Sequence, residues 1–209
     1  MGDRGMRVAL DAIEAARAVN GAGPRHHITH LSMVQSDDAT RLGPLGVTAN
    51  IQGLWAAPDP FTASMIGGER MLEGYPFRTI AEAGADVAMG SDWPVSAAEP
   101  WSAIHVVVNR SVPYSDDDDP ILASDGVSPL TLDAEHQSLT LAQALGAYTS
   151  GSTELVLGRP GRLRIGERAN ITVATQDPFE LSADAIASVE TAATIVSGRV
   201  VYRRSEHRE

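Results

Sequence analysis

The sequence predicts an α/β protein, and two patterns carry this prediction. Over roughly the first three quarters, short apolar segments with strand character alternate with segments whose apolar residues recur at helical spacing. Strands that alternate with helices in this way are typical of parallel βαβ units. After Arg159 the helical period gives way to short apolar segments, which predicts a small β-structure at the end of the chain.

The first half of the chain sets up the alternation. Residues 3–20 predict a helix, because Asp3 can cap it and apolar residues follow at helical spacing. Strands are predicted over 25–34 and 47–52, with a short helix begun by Ser36 between them. The next predicted elements are helical patterns over 66–72 and 77–83, a strand over 86–92, and a helix over 100–110.

The second half opens on a long loop, residues 112–137, which contains the run Asp116–Asp119. Four carboxylates can bind calcium, but the spacing and glycine of an EF-hand are absent, so a solvated loop is favoured. A strong helix is predicted over 139–157, and strands over 161–175 and 188–202. We place a hairpin turn at Ser197-Gly198 within the last segment.

Composition excludes several classes of function. The 209 residues contain 16 cationic side chains, every one of them arginine, and 27 acidic ones, for a net charge of −11. This acidity argues against a nucleic-acid partner. The absence of lysine excludes a P-loop or a Schiff base in this chain, and the absence of cysteine excludes disulfides and thiolate ligands. No apolar run approaches the roughly 18 residues needed to cross a bilayer, and no signal-peptide pattern is present, so we expect a cytoplasmic protein without a membrane partner.

His30 is the first candidate for chemistry, because it ends RHHITH, the first part of the predicted strand, at the edge where parallel βα folds collect functional groups. Strand alternation would place His26, Ile28 and His30 on one face, with His26 about 13 Å away. A lone histidine at a strand end serves either as a metal ligand or as a structural residue.

Asp92 ends the predicted strand 86–92 in the same manner, and burying its carboxylate without a partner would be costly. A metal ion or a hydrogen-bond donor would supply that partner. The alternative is a helix cap, since Ser91 and Asp92 precede Pro94. We expect His105 and His136 to be structural or exposed.

Five segments together resemble one known family. They are RHHITHLSMV, LGVTANIQ, PFRTIAEAGADVAMGSDWPVSAAEPW, LTLAQALGAYTSGSTELVLG and GRLRIGERANITVATQDPF. The combination resembles amidohydrolase family 3 of the metal-dependent amidohydrolase superfamily, and the resemblance extends from Gly2 to Tyr202. It implies a partial (β/α)8 TIM barrel, holding strands six to eight, and part of a small β-sandwich domain. The barrel portion would be residues 1–158, the β-domain portion 159–203, and a polar tail 204–209.

The resemblance also implies a chemistry. Family members hydrolyse carbon–nitrogen bonds of small molecules, such as amides and N-formyl groups, with a divalent metal that we expect to be zinc. His30 matches a metal ligand of the family, and Asp92 matches a metal ligand that also acts as the catalytic base. Trp55 and Trp93 would line the mouth of the substrate site, with core packing as the alternative for each.

Departures from the family pattern bear on activity. The His-x-His strand is absent, the third family histidine would precede Met1 by two positions, and Thr29 replaces the usual glutamate. Two ligands are fewer than the three protein ligands of catalytic zinc sites. We therefore expect the C-terminal part of a longer hydrolase, inactive by itself. The alternative is a non-catalytic remnant, or a half-barrel partner that complements a separate N-terminal half; a homo-oligomer is compatible with either.

Overall fold

The computed structural model describes residues 2–57, 64, 65, 67, 70, 71, 73–111, 113 and 134–205, and it confirms the α/β class. The strands and α-helices are α1 Asp3–Asn20, β1 His26–Thr29, α2 Ser36–Ala39, β2 Val47–Ile51, α3 Phe77–Glu82, β3 Val87–Met89, α4 Pro100–Asn109, α5 Ala134–Gln137, α6 Leu141–Gly146, α7 Ser152–Leu157, β4 Ile171–Ala174, β5 Thr191–Val196 and β6 Arg199–Arg203. Outside the described residues lie the run Asp116–Asp119, most of the predicted helical pattern over 66–72, and residues 206–209 of the polar tail.

The first three strands form a parallel sheet in the order β1-β2-β3. His26 pairs with Val47, and Ala49 pairs with Val87. Parallel neighbours need crossover connections, and the intervening helices provide them. The strands are shorter than predicted: β1 ends at Thr29, where the sequence pattern had suggested a strand through residue 34. The central strand, β2, is buried on both faces except for a half-buried Asn50.

Helix α1 has the predicted bounds, although its N-cap residue is Gly2 and not Asp3. Its Met6 and Leu10 are fully buried. Next to it, the carboxylate of Asp38 is buried yet satisfied, since it accepts hydrogen bonds from Arg7 at 2.7 Å and from Arg41 at 3.0 Å. The Asp38 hydrogen bond raises the pKa of Arg7. Buried carboxylates require such partners, so this ion cluster joins α1 to α2.

The helix predicted over 139–157 is continuous but not uniform. Thr140 caps α6 in a reciprocal capping box with Gln143, as sequences of this type favour. A π-helical turn, Ala147–Gly151, then separates α6 from α7. Ser152 at the end of this turn donates a hydrogen bond to the carbonyl of Met89 at 2.7 Å, which fixes the helix against β3.

Strands β4, β5 and β6 form a second, antiparallel sheet in that order. The predicted hairpin is confirmed: Ser197 and Gly198 have φ of 51° and 81°, and positive φ at both central residues is typical of a type I′ turn. The strand predicted over 161–175 is formed only at its end, over Ile171–Ala174. Among the described residues, no helix is long and apolar enough to span a membrane.

Candidate functional site

His30 follows β1 directly and lies at the carboxyl edge of the parallel sheet. Its backbone N–H donates to the carbonyl of Asn50 at 3.0 Å, which extends the β1–β2 ladder by one bond. His30 and Leu31 then adopt φ of 79° and 51°. Positive φ is uncommon outside glycine and ends an extended strand. The expected alternation of His26, Ile28 and His30 on one face therefore stops before His30, and that prediction was wrong.

Two side chains contact the imidazole of His30, Gln52 at a ring nitrogen and Trp55 across one face. Its Nδ1 lies 2.8 Å from Oε1 of Gln52, the buried residue that follows β2. Its ring stacks on the Trp55 indole, with centroids 4.6 Å apart and an interplanar angle of 7°. The carboxamide of Gln52 in turn donates from Nε2 to Oδ1 of Asn50 at 3.4 Å. The donor and acceptor roles in this contact follow from the tautomer of the imidazole and the orientation of the carboxamide.

Trp55 is positioned by a tight 3₁₀ turn, Gly53–Ala56, that packs on α4. A Cβ atom at Gly53 would lie 2.8 Å from the carbonyl oxygen of Ala103 and from side-chain atoms of Met89 and Val107. Only glycine fits this close approach. The indole Nε1–H donates to Oγ of Ser96 at 2.8 Å, so the ring that covers His30 is tied to the loop after β3.

Asp92 lies on that same loop, three residues after the end of β3. Its side chain is exposed, its φ is 56°, and its carbonyl accepts a hydrogen bond from Val95 at 2.8 Å. Helix α4 begins eight residues later with Glu99 as its N-cap, whose carboxylate accepts from the backbone N–H of Trp101 and Ser102. The alternative interpretation of Asp92 as a helix cap is therefore wrong.

The two tryptophans differ in their surroundings. Trp55 is half-buried in the stack with His30, whereas Trp93 has 70% of its side chain exposed and is not packed in the core. The carboxyl edge thus joins His30, Gln52, Trp55 and Ser96 by direct contacts. Sequence reasoning missed Gln52 and Ser96. The signal for Gln52 was present, since it is a polar side chain at the carboxyl end of an apolar strand.

In the part of the chain that the structure describes, no three histidine, aspartate or glutamate side chains lie close enough to hold a metal ion together. His105, predicted to be structural or exposed, is buried in α4, and burial lowers its pKa. His136 is exposed in α5, where a loop had been expected. His30 and Asp92 remain the candidate residues at the carboxyl edge.

Comparison with known proteins identifies the family. The model of the amidohydrolase family matches residues 1–202. The chain belongs to the amidohydrolase family. The N-substituted formamide deformylase of Arthrobacter pascens is 24% identical over 211 residues, which span 98% of this chain and 36% of the deformylase. The protein LONG AFTER FAR-RED 3 of Arabidopsis thaliana is 28% identical over 97% of this chain and 33% of its own length.

A solved structure agrees with the fold. An uncharacterized metal-dependent hydrolase from Pyrococcus furiosus superposes with a TM-score of 0.61 and 27% identity, over 81% of this chain and 31% of that one. This amidohydrolase chain spans about a third of the length of the curated relatives that it matches.

Proposed function

We propose that this chain forms part of a metal-dependent hydrolase that cleaves non-peptide carbon–nitrogen bonds in small molecules, such as amides or N-formyl groups. The observation that carries the proposal is the position of His30 at the carboxyl edge of the sheet, where its Nδ1 lies 2.8 Å from Oε1 of Gln52 and its Nε2 makes no hydrogen bond within the described residues. Membership of the amidohydrolase family supports it, as does the similarity to a protein named N-substituted formamide deformylase.

In this proposal His30 and Asp92 are metal ligands, and Asp92 also accepts and returns a proton during hydrolysis. Trp55 and the exposed Trp93 supply apolar surface at the substrate mouth. The donors fit a divalent cation in type, because imidazole nitrogen and carboxylate oxygen both bind zinc. They do not fit in number, since catalytic zinc sites have three protein ligands. A bound zinc ion would supply Lewis-acid activation of the scissile carbonyl.

The same proposal covers the architecture. Residues 1–158 would be the C-terminal portion of a (β/α)8 barrel, residues 159–203 part of a β-sandwich domain, and residues 204–209 a polar tail. The carboxyl edge of the parallel sheet is then one sector of the barrel mouth, where barrel enzymes carry their active sites. We place the protein in the cytoplasm, and a homo-oligomer is compatible with this architecture.

A second candidate function is a half-barrel partner that acts with a separate N-terminal half. Exposed apolar side chains in the last quarter of the chain favour it. Leu163 and Ile165 are almost fully exposed, and Val200 and Val201 on adjacent positions of β6 are both more than half exposed. Covering apolar surface of this kind with another polypeptide removes it from water and so stabilises the complex.

The decisive experiment starts from the native polypeptide that contains this sequence, purified from its source cells. We expect a mass well above 22.1 kDa, a bound divalent metal, and hydrolysis of N-substituted formamides or amides. A native mass of 22.1 kDa with a separate, tightly bound partner would favour the half-barrel function. A polypeptide that binds no metal and hydrolyses no amide-type substrate would contradict the main proposal.

Variants then test the role of Asp92 in that polypeptide. Asp92→Asn removes the proton acceptor, so kcat should fall by about 10²–10⁴-fold. The matched control is Asp37→Asn, which alters an exposed carboxylate on α2, and it should leave kcat unchanged. Equal activity in the two variants would show that Asp92 does not act in hydrolysis.

A further inference from the structure

We propose that Ser96 is a positioning residue, which acts through Trp55 to hold the loop after β3 in place at the carboxyl edge of the sheet. This loop, residues 90–99, carries Asp92 and Trp93, so the role of Ser96 in turnover rests on the proposed function. Its effect on the order of the loop does not rest on that function, because it follows from contacts within the chain.

The loop has little burial of its own to keep it in one conformation. Residues 92–95 and 97–99 are exposed, and Ser96 between them is half-buried. An exposed segment with few buried contacts opens locally at a low cost in free energy. The order of this loop therefore depends on the contacts that attach it to neighbouring segments.

A single hydrogen bond between described residues joins positions 91–98 to another segment, and it runs from the indole of Trp55 to Oγ of Ser96 at 2.8 Å. Two further hydrogen bonds begin and end within the loop, Val95 to Asp92 and Trp93 to Ser91. An indole N–H donates and cannot accept, so Trp55 is the donor and the hydroxyl oxygen of Ser96 is the acceptor. The attachment of the loop thus depends on one hydroxyl group.

Trp55 is itself held in place by the tight packing of its 3₁₀ turn. Gly53 and Ala56 of this turn are buried. A Cβ atom at Gly53 would lie 2.8 Å from the carbonyl oxygen of Ala103, so the turn lies directly against α4. The bond to Ser96 therefore attaches an exposed loop to a closely packed part of the molecule.

The same indole also contacts His30, and this contact extends the effect of Ser96 to the end of β1. The two rings stack with centroids 4.6 Å apart and an interplanar angle of 7°. While its N–H is bonded to Ser96, the indole cannot rotate without breaking that bond. Loss of the Ser96 hydroxyl would leave a half-buried N–H without its acceptor, so the loop and the ring could move separately.

Hydrogen exchange of the native polypeptide that contains this sequence, followed by mass spectrometry, measures the order of the loop. Ser96→Ala removes one hydrogen bond and should raise the exchange rate of peptides from residues 90–99 by about 2–10-fold. Ser96→Thr keeps a hydroxyl and should exchange like the wild type. The control Ser102→Ala changes a half-buried serine on α4 and should leave loop exchange unchanged. Unchanged exchange in Ser96→Ala would overturn the proposal.

A double-mutant cycle in the same polypeptide shows whether Ser96 acts through Trp55. Trp55→Phe keeps an aromatic ring beside His30 and removes the N–H that Ser96 accepts. In the Trp55→Phe background, Ser96→Ala should therefore have no further effect on loop exchange. An equal effect of Ser96→Ala in both backgrounds would show that Ser96 does not act through Trp55 and would overturn the proposal.

Turnover of an N-substituted formamide separates this inference from the proposed function. Displacement of the loop should lower kcat/KM of Ser96→Ala by about 10–100-fold, whereas Ser96→Thr and Ser102→Ala should keep the wild-type value. If the wild type hydrolyses the formamide and Ser96→Ala alters neither loop exchange nor kcat/KM, the inference fails while the function stands. If loop exchange responds as expected and the wild type hydrolyses no amide-type substrate, the function fails while the ordering role of Ser96 stands.

Discussion

The two sheets of this protein are built from similar strand residues but are covered very differently. In the parallel sheet, Val47, Ala49 and Ile51 of β2 are almost completely buried. In the antiparallel sheet, every residue of β6 is exposed, including Val200 and Val201 on neighbouring positions. Because successive strand residues point to opposite faces, both faces of β6 are open in this chain.

Connectivity explains the difference. Parallel strands must be joined by crossovers, so each connection brings a helix onto the sheet. A two-residue hairpin pairs β5 with β6 and brings no covering layer. A 3₁₀ segment, Ala183–Ser188, packs on α4 and helps to anchor the last quarter of the chain: Ile186 is buried, and Asn109 donates to the carbonyl of Ala183 at 2.9 Å. The antiparallel sheet is therefore the less buried of the two, with most of β5 half-buried and all of β6 exposed.

The largest expected effect comes from the helix packed on the parallel sheet. A Cβ atom at Gly151 would lie 2.1 Å from the carbonyl oxygen of Val87, a backbone atom of β3 that cannot move aside. Gly151→Ala should therefore lower the free energy of unfolding by about 3 kcal/mol, measured by chemical denaturation.

The matched control lies in the same helical stretch. Gly146→Ala would meet its nearest atom, Oγ of Ser150, only at 4.0 Å. It should raise the free energy of unfolding by about 0.5–1 kcal/mol, because alanine is the better helix former. Similar effects of the two substitutions would contradict the close packing of this helix on β3.

A smaller effect on stability is expected at His105, where α4 meets the last quarter of the chain. Burial lowers the pKa of His105 in α4, against an opposing attraction from Asp184. The unfolded chain takes up this proton near pH 6.5, and the folded chain does so only at lower pH. The contribution of neutral His105 to stability is therefore complete above about pH 6.5 and declines as the pH falls below it.

The measurement compares the free energy of unfolding at about pH 7.5 and about pH 5.5. The decrease in the free energy of unfolding from the higher to the lower pH should be smaller for His105→Leu than for the wild type. His27→Leu, at an exposed position of β1, should keep the wild-type loss. If His105→Leu and the wild type lose equal stability, His105 does not contribute to the pH dependence.

The smallest effect is expected in the antiparallel sheet. Val201→Thr at an exposed position of β6 should change the free energy of unfolding of the 209-residue chain by less than about 0.5 kcal/mol. Val47→Thr, the same substitution in buried β2, should cost about 1–3 kcal/mol, because it places a hydroxyl among apolar side chains. A cost for Val201→Thr as large as that for Val47→Thr would show that β6 is covered in solution.

Much of the fold follows from the sequence, and particular elements show why. The helix over residues 3–20 and the Ser197-Gly198 turn were predicted correctly, because apolar periodicity and turn chemistry involve neighbours along the chain. Strand ends were predicted poorly. β1 stops at Thr29 because His30 leaves the extended region, and no local pattern in the residues indicated that change.

For the candidate site too, the sequence indicated some residues and the structure alone gave the contacts between them. The sequence by itself made His30 and Asp92 candidates at the carboxyl edge of a parallel sheet, because each follows an apolar segment along the chain, and the family resemblance added Trp55 and Trp93. Only the tertiary structure decided that Gln52 holds the edge of the imidazole and that Ser96 fixes the indole stacked on it. These contacts join residues 22 and 41 positions apart. A hydrogen bond forms only where folding brings donor and acceptor within about 3 Å, and the spacing of residues along the chain does not encode that distance.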